Sequence, residues 1–164
     1  MTKKSKKRNL EAVQIRQIAG GKDPVRLIEE FIVRQGFDPD VCLREKTTDG
    51  VSWMLPLSDG EDLEVQAYGL TRYAETTIYM GINVTSIPLK GQQDLLVAAL
   101  ELADSLVGIK VSVVGHYLVL SGTLGAPGIS VEDLEYTFKL IIDQKQWFRN
   151  ALADELGVAN LPEG

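Results

Sequence analysis

The feature that most constrains this fold is a pair of strand signals joined by a turn too short for anything but a hairpin. Val51-Ser52-Trp53-Met54-Leu55-Pro56-Leu57 is followed by Asp59-Gly60 and then by Leu63-Glu64-Val65-Gln66-Ala67-Tyr68. Leu63, Val65 and Ala67 alternate with Glu64, Gln66 and Tyr68, the period of a half-buried strand. Asp-Gly between two such runs is a tight hairpin turn. A third strand over Thr76–Val84 follows, with Tyr73-Ala74-Glu75 closing its hairpin. Pro56 has no N–H to give a ladder, which predicts an edge or a bulge for the first strand. Two more strands, Ile109–Val114 and Tyr117–Ser121, flank the short turn Gly115-His116. Connections of hairpin length dictate mostly antiparallel pairing.

Helices separate these strand groups. Asp23-Pro24 opens the first, with an N-cap acceptor and a proline at the first helical position. Leu27, Ile28, Phe31 and Ile32 recur at helical spacing up to Gly36, and residues 37–49 form a connection. The second helix spans roughly 91–107, with one row of Leu95, Ala99, Leu102 and Leu106 and another of Leu96, Leu100, Ala103 and Val107. Two rows make an apolar face broader than docking on one sheet requires. Ser130 caps the last helix, with Asp133 three residues on. Leu134, Phe138, Ile141, Phe148, Leu152 and Leu156 carry its stripe to Gly157. The order α-β-β-β-α-β-β-α predicts an α+β fold: a five-stranded, mostly antiparallel sheet with helices packed on one face. The expected organisation is a basic tail and amphipathic lead-in over 1–22, one domain over 23–157, and a loose tail over 158–164.

The chain has 164 residues, 45% of them hydrophobic, enough for one domain with a core of its own. Its net charge of −6 is unevenly placed. Lys3, Lys4, Lys6, Lys7 and Arg8 make the first nine residues strongly positive, leaving −11 on the rest. An acidic body disfavours nucleic acid, so contact with it is expected at most through that basic run. Cys42 is the only cysteine, so no intrachain disulfide points to an oxidising compartment. No apolar run approaches the ~20 residues of a membrane helix. The cytoplasm, without membrane attachment, is the expected location.

Parts for catalysis are scarce. His116 is the only histidine, which excludes a two-histidine metal site within one chain. No G-x-S-x-G elbow accompanies it. Cys42 lies between Val41 and Leu43, with nothing nearby to lower a thiol pKa. Gly122, Gly125 and Gly128 follow the spacing G-x-x-G-x-x-G and lack the Gly-Lys-Ser/Thr of a phosphate loop. Asp59, Glu61 and Asp62 form a polar turn without the full calcium-loop pattern. No catalytic residue, metal ligand or cofactor site is assigned.

The aromatic and aliphatic surface carries more. Trp53 and Trp147 are large side chains suited to core or helix–sheet packing. Tyr68 and Tyr79 fall on the sheet face opposite the aliphatic positions of their strands. Trp53, Tyr68, Tyr79, Leu96, Leu100 and Val107 are the candidate protein-interaction surface, a contiguous apolar patch being the usual mark of one.

The segment Leu118-Val119-Leu120-Ser121-Gly122-Thr123-Leu124, with its Gly/Pro turn and Ile129-Ser130-Val131-Glu132-Asp133-Leu134-Glu135, resembles the YbjN family. The resemblance spans about residues 23–156. It implies a fold like that of the class I type III secretion chaperones, whose members are cytoplasmic, acidic homodimers that bind extended segments of other proteins. It supplies no catalytic motif. The expected function is a non-enzymatic, homodimeric, chaperone-like or regulatory adaptor for an unidentified protein or peptide. The second reading is a small-molecule-binding sensory regulator, and an enzyme ranks last.

Overall fold

The computed structural model describes residues 23–70, 75–125 and 128–162. Its elements are α1 (Pro24–Arg34), a short α2 (Pro39–Cys42), β1 (Leu43–Lys46), β2 (Gly50–Pro56), β3 (Asp62–Leu70), β4 (Glu75–Ser86), α3 (Gln92–Ala103), β5 (Lys110–Val114), β6 (Tyr117–Gly125) and α4 (Val131–Glu155). The sheet has six strands in the order β1-β2-β3-β4-β6-β5, every neighbouring pair antiparallel.

The α+β class and the helix-backed antiparallel sheet are as expected, and the strand count is corrected from five to six. The extra strand lies in the stretch expected to be a connection. All four residues of β1 are exposed, so it carries no alternation to reveal it. It pairs with β2 only across Val51–Trp53, through a register shift near Arg44. Pro56 therefore ends an inner strand at a point where β1 no longer reaches, and no ladder asks for its missing N–H. The Asp59-Gly60 turn forms as expected: the Gly60 N–H donates to the Leu57 carbonyl and Gly60 takes φ +84°.

One sheet face carries the core. Trp53, Leu55, Leu63, Val65, Ala67, Ile78, Met80, Ile82, Leu118 and Leu120 are buried against the helices. α4 packs over β4 and β6, α1 over β3 and α3 over β5, so α4 is the middle helix. Its start is a full capping box: Ser130 Oγ accepts from the Asp133 N–H at 3.2 Å, and Asp133 Oδ2 accepts from the Ser130 N–H at 2.8 Å. Those bonds, the backbone one first, hold the Asp133 carboxyl below its ordinary value. Phe31 on α1 meets Phe138 on α4 edge to face, with centroids 5.7 Å apart.

The second helix ends at Ala103 rather than near 107; 3₁₀-type bonds from Ser105 and Leu106 back to Leu102 and Ala103 close it. The segment after Gly157, expected to be loose, is exposed over residues 158–160 and docked at Leu161 and Pro162. Leu161 is 8% exposed within the core, and the Thr85 hydroxyl donates to the Pro162 carbonyl at 2.9 Å. The lead-in over 1–22, and Tyr73 and Ala74 of the second hairpin, lie outside the described residues.

A close helix–sheet approach is at Gly122, where Thr137 Cγ2 already occupies the space a side chain would take. Gly122→Ala should force α4 off the sheet and cost about 1–3 kcal/mol, the usual range for overpacking. A urea denaturation midpoint close to that of the unsubstituted chain would contradict this packing.

Candidate functional site

The six candidate surface residues occupy three separate places. Trp53 is 1% exposed and lies in the core, cross-strand from Val65, so its assignment to an interaction surface is corrected. A tryptophan on a two-period strand belongs to whichever face its parity selects, and parity puts Trp53 with Val51 and Leu55 under the helices.

Tyr68 and Tyr79 stand on the opposite face, which is free of helices among the described residues. Gln66 pairs with Tyr79 and Tyr68 with Thr77, so the two rings are diagonal neighbours, within reach of long side chains. The Tyr79 ring folds over Gly81, its Cζ 2.6 Å from where a Cβ would stand; glycine is required there because the ring fills the space. Burial, with the charge of Glu64 second, raises the Tyr79 phenol above its ordinary value, and Ser121 opposes the shift. Ser121 pairs with Gly81 across β4 and β6. It is fully buried, and its Oγ has no hydrogen bond of ordinary geometry. At the β1–β2–β3 corner of this face is an open hollow of about 200 Å³, lined by Glu45, Asp49, Ser52, Gln66 and Tyr68 among others.

Leu96, Leu100 and Val107 lie on the helical side. Leu96 is half-buried against the core, while Leu100 and Val107 are 69% and 68% exposed. Gln144 on α4 holds the loop after α3 through two bonds to Val107: its Oε1 accepts from the N–H at 3.0 Å and its Nε2 donates to the carbonyl at 2.9 Å. Leu140 touches the place of a Cβ at Gly108. Trp147 shares that side of α4 by spacing from Leu140 and Gln144, and it is 44% exposed. Val97, Leu100, Val107 and Trp147 are thus exposed apolar side chains of α3, the loop after it and α4 on the helical side.

An unanticipated polar cluster pins the hairpin turn to α4. Lys145 is 5% exposed, and its Nζ contacts Glu61 Oε2 and lies 3.6 Å from Asp59 Oδ2. Arg149 lies 3.7 Å from Glu61 Oε1 and donates to the Val84 carbonyl. Val84 is the extra residue where the β4–β6 register shifts, so Arg149 satisfies a carbonyl beside a β-bulge. Burial lowers the Lys145 pKa despite the pull of Asp59. The signal for this cluster was a lysine four residues after Ile141 and three before Phe148, on the apolar stripe.

Cys42 is buried, and burial raises its pKa, with Asp38 adding to the rise and Arg44 opposing it; this is the reverse of nucleophile activation. His116 sits exposed in the β5–β6 turn, its carbonyl accepting from the Ile87 N–H. Gly122 and Gly125 are strand residues of β6. Among the described residues, no group of three His, Cys, Asp or Glu side chains could hold a metal ion, and no helix is long and apolar enough to cross a membrane. Lys3, Lys4, Lys6, Lys7 and Arg8 lie outside the described residues.

A six-stranded antiparallel sheet backed on one face by helices defines an α+β domain. No family model matches the chain, and no curated protein matches it. Among solved structures it is similar to a chain of the HopA1–SchA chaperone–effector complex, with TM-score 0.51 and 13% identity over 76% of this chain and 91% of that one. It is also similar to a chain of the ExsC–ExsE complex, with TM-score 0.53 and 14% identity over 82% of this chain and 97% of that one. At such identities the likeness establishes the fold.

Glu61→Gln should strand the buried Lys145 cation and cost about 3 kcal/mol, near the low end for a broken buried pair because Glu61 is partly exposed. Lys145→Met, which removes the cation itself, should cost less. With its folded pKa below the ordinary lysine value of 10.5, Lys145 holds its proton more tightly in the unfolded chain. Stability should therefore gain a rising component as pH climbs through the folded value towards 10.5, absent in Lys145→Met. Urea melts across the alkaline range check both the sign and its loss.

Proposed function

We propose that this chain is a non-enzymatic, cytoplasmic protein-binding module that works as a homodimer and holds a segment of another protein, in the manner of the type III secretion chaperones. The observation that carries the reading is the exposure of Val97, Leu100, Val107 and Trp147 on a fold shared with a chain of a chaperone–effector complex. A set of large exposed apolar side chains on one side of an otherwise acidic protein suits a contact surface. A set of this kind suits a two-fold pair. The YbjN resemblance of residues 118–135 points to the same reading.

The two sides of the domain divide the labour. The helical side serves self-association. The opposite sheet face, with Tyr68, Tyr79 and the corner hollow, serves the partner segment, supplemented by strand addition at an open sheet edge.

Light scattering or sedimentation of the full chain at micromolar concentration should give a dimer. Leu100→Asp combined with Val107→Asp should give a folded monomer, since both side chains are exposed and the core does not use them. A monomer for the unsubstituted chain contradicts the homodimer; a dimer unchanged by the two aspartates contradicts these side chains as its interface.

A further inference from the structure

Beyond the end of α4 the chain returns to the sheet and seats itself by one side chain and one carbonyl. The helix closes with the Gly157 N–H donating to the Asp154 carbonyl and the Val158 N–H to the Ala153 carbonyl. Gly157 takes φ +65°, so the chain leaves in a new direction. Val158, Ala159 and Asn160 are exposed. Leu161 is then buried in the cluster that holds Val84, Leu118 and Leu152, and the Pro162 carbonyl accepts from the Thr85 hydroxyl at 2.9 Å.

The receiving side is built by the body of the domain. Ile82 pairs with Leu120 and Thr85 with Leu118, with a register shift between Asn83 and Thr85. Cross-strand partners share a face. The bulge therefore carries Thr85 onto the helix-side face, where plain alternation from Ile82 would have put it on the other. It sets a fully buried hydroxyl among apolar side chains. Arg149 of α4 donates to the Val84 carbonyl at the same bulge, so the direction of Thr85 does not depend on residues 158–162. Without Pro162 the hydroxyl would have only the Ser86 carbonyl of its own strand, at 3.3 Å. A buried donor placed in this way selects a carbonyl. Leu161 precedes a proline, which holds it extended, and Pro162 brings no N–H that an apolar seat would have to satisfy. What the seat reads is thus an extended aliphatic residue followed by proline.

The seat is lightly held. One buried leucine and one hydrogen bond are no larger than the entropy of ordering five residues, and Gly157 at the root of the segment is a point about which it can release. We propose that the Leu161 seat, between the end of α4 and the Val84 bulge, is a binding site for an extended Leu-Pro segment of a partner protein, and that residues 158–162 occupy it in cis as a built-in competitor. The site goes beyond the tyrosine face and the helical side chains, and its test leaves both untouched. Tethering gives the internal segment a high effective concentration, so two weak contacts suffice to hold off a weak ligand.

The test titrates two capped peptides into the isotope-labelled full chain. One is Val-Ala-Asn-Leu-Pro, the sequence of residues 158–162; the other, Gly-Ser-Leu-Pro-Ser, has foreign flanks. In the chain carrying Leu161→Ser both should shift the amides of Thr85, Ser86 and Leu118 saturably. In the unsubstituted chain both should bind at least about tenfold more weakly, because the tethered segment competes. Adding Thr85→Val to Leu161→Ser should weaken binding about fivefold, the size of one hydrogen bond. No saturable shift in a folded Leu161→Ser chain, equal affinity in both chains, or an affinity indifferent to Thr85→Val overturns the proposal. Binding of the first peptide alone overturns the Leu-Pro assignment. A Leu161→Ser chain without a cooperative urea transition overturns the competitor, since the seat could not then empty while the domain stands. A fall in mass by light scattering on Leu161→Ser places the segment on a second copy and overturns its action in cis.

Discussion

Helix α4 lying across β4 and β6 is the contact from which the rest of the molecule takes its shape. β4 and β6 join the strands before α3 to the hairpin after it, and their pairing brings the two halves of the chain into one sheet. The helix closes on that junction because Gly122 presents bare backbone under Thr137. α1 then docks through Phe31 and Phe138, and the loop after α3 docks through Gln144. The Asp59–Glu61 turn is held by Lys145 and Arg149 from the same helix. One face of the sheet is thereby consumed by the core, and among the described residues no helix covers the other.

Much of this was legible because it is written locally. Alternation over Leu63–Tyr68, the Asp59-Gly60 and Gly115-His116 turns, and the Ser130/Asp133 cap each depend on residues a few positions apart, where backbone sterics and capping decide. β1 was not legible for the converse reason: a four-residue edge strand exposed throughout has no buried side to impose a pattern. The end of α3 was overrun because Leu106 and Val107 extend the apolar rows beyond Ala103, although the backbone has already turned. Leu161 shows the same limit, since a single apolar residue in a polar tail gives no sign that a groove awaits it.

The surface was harder to read than the fold. Strand parity separates Tyr68 and Tyr79 from the aliphatic face, and of the second apolar row Leu100 and Val107 are exposed while Leu96 is half-buried. Trp53 was misplaced because size alone does not say which face a strand residue takes; its parity with Leu55 does. Lys145 and Arg149 escaped notice because a lysine on a helix normally belongs to the solvent side, and only the folded turn at Asp59–Glu61 supplies the carboxylates that make its burial tolerable.

Two surfaces remain after the core is built, exposed apolar side chains on the helical side and a tyrosine-bearing sheet face. The proposed function stands on contact between polypeptides. Hydroxyl-radical footprinting of the full chain in solution tests this most directly, with Leu89 and Val33, exposed at 98% and 59%, as internal standards. The account predicts that Leu100, Val107 and Trp147 are labelled far less than their exposure in a single chain would allow. Labelling of all three in proportion to that exposure would contradict it.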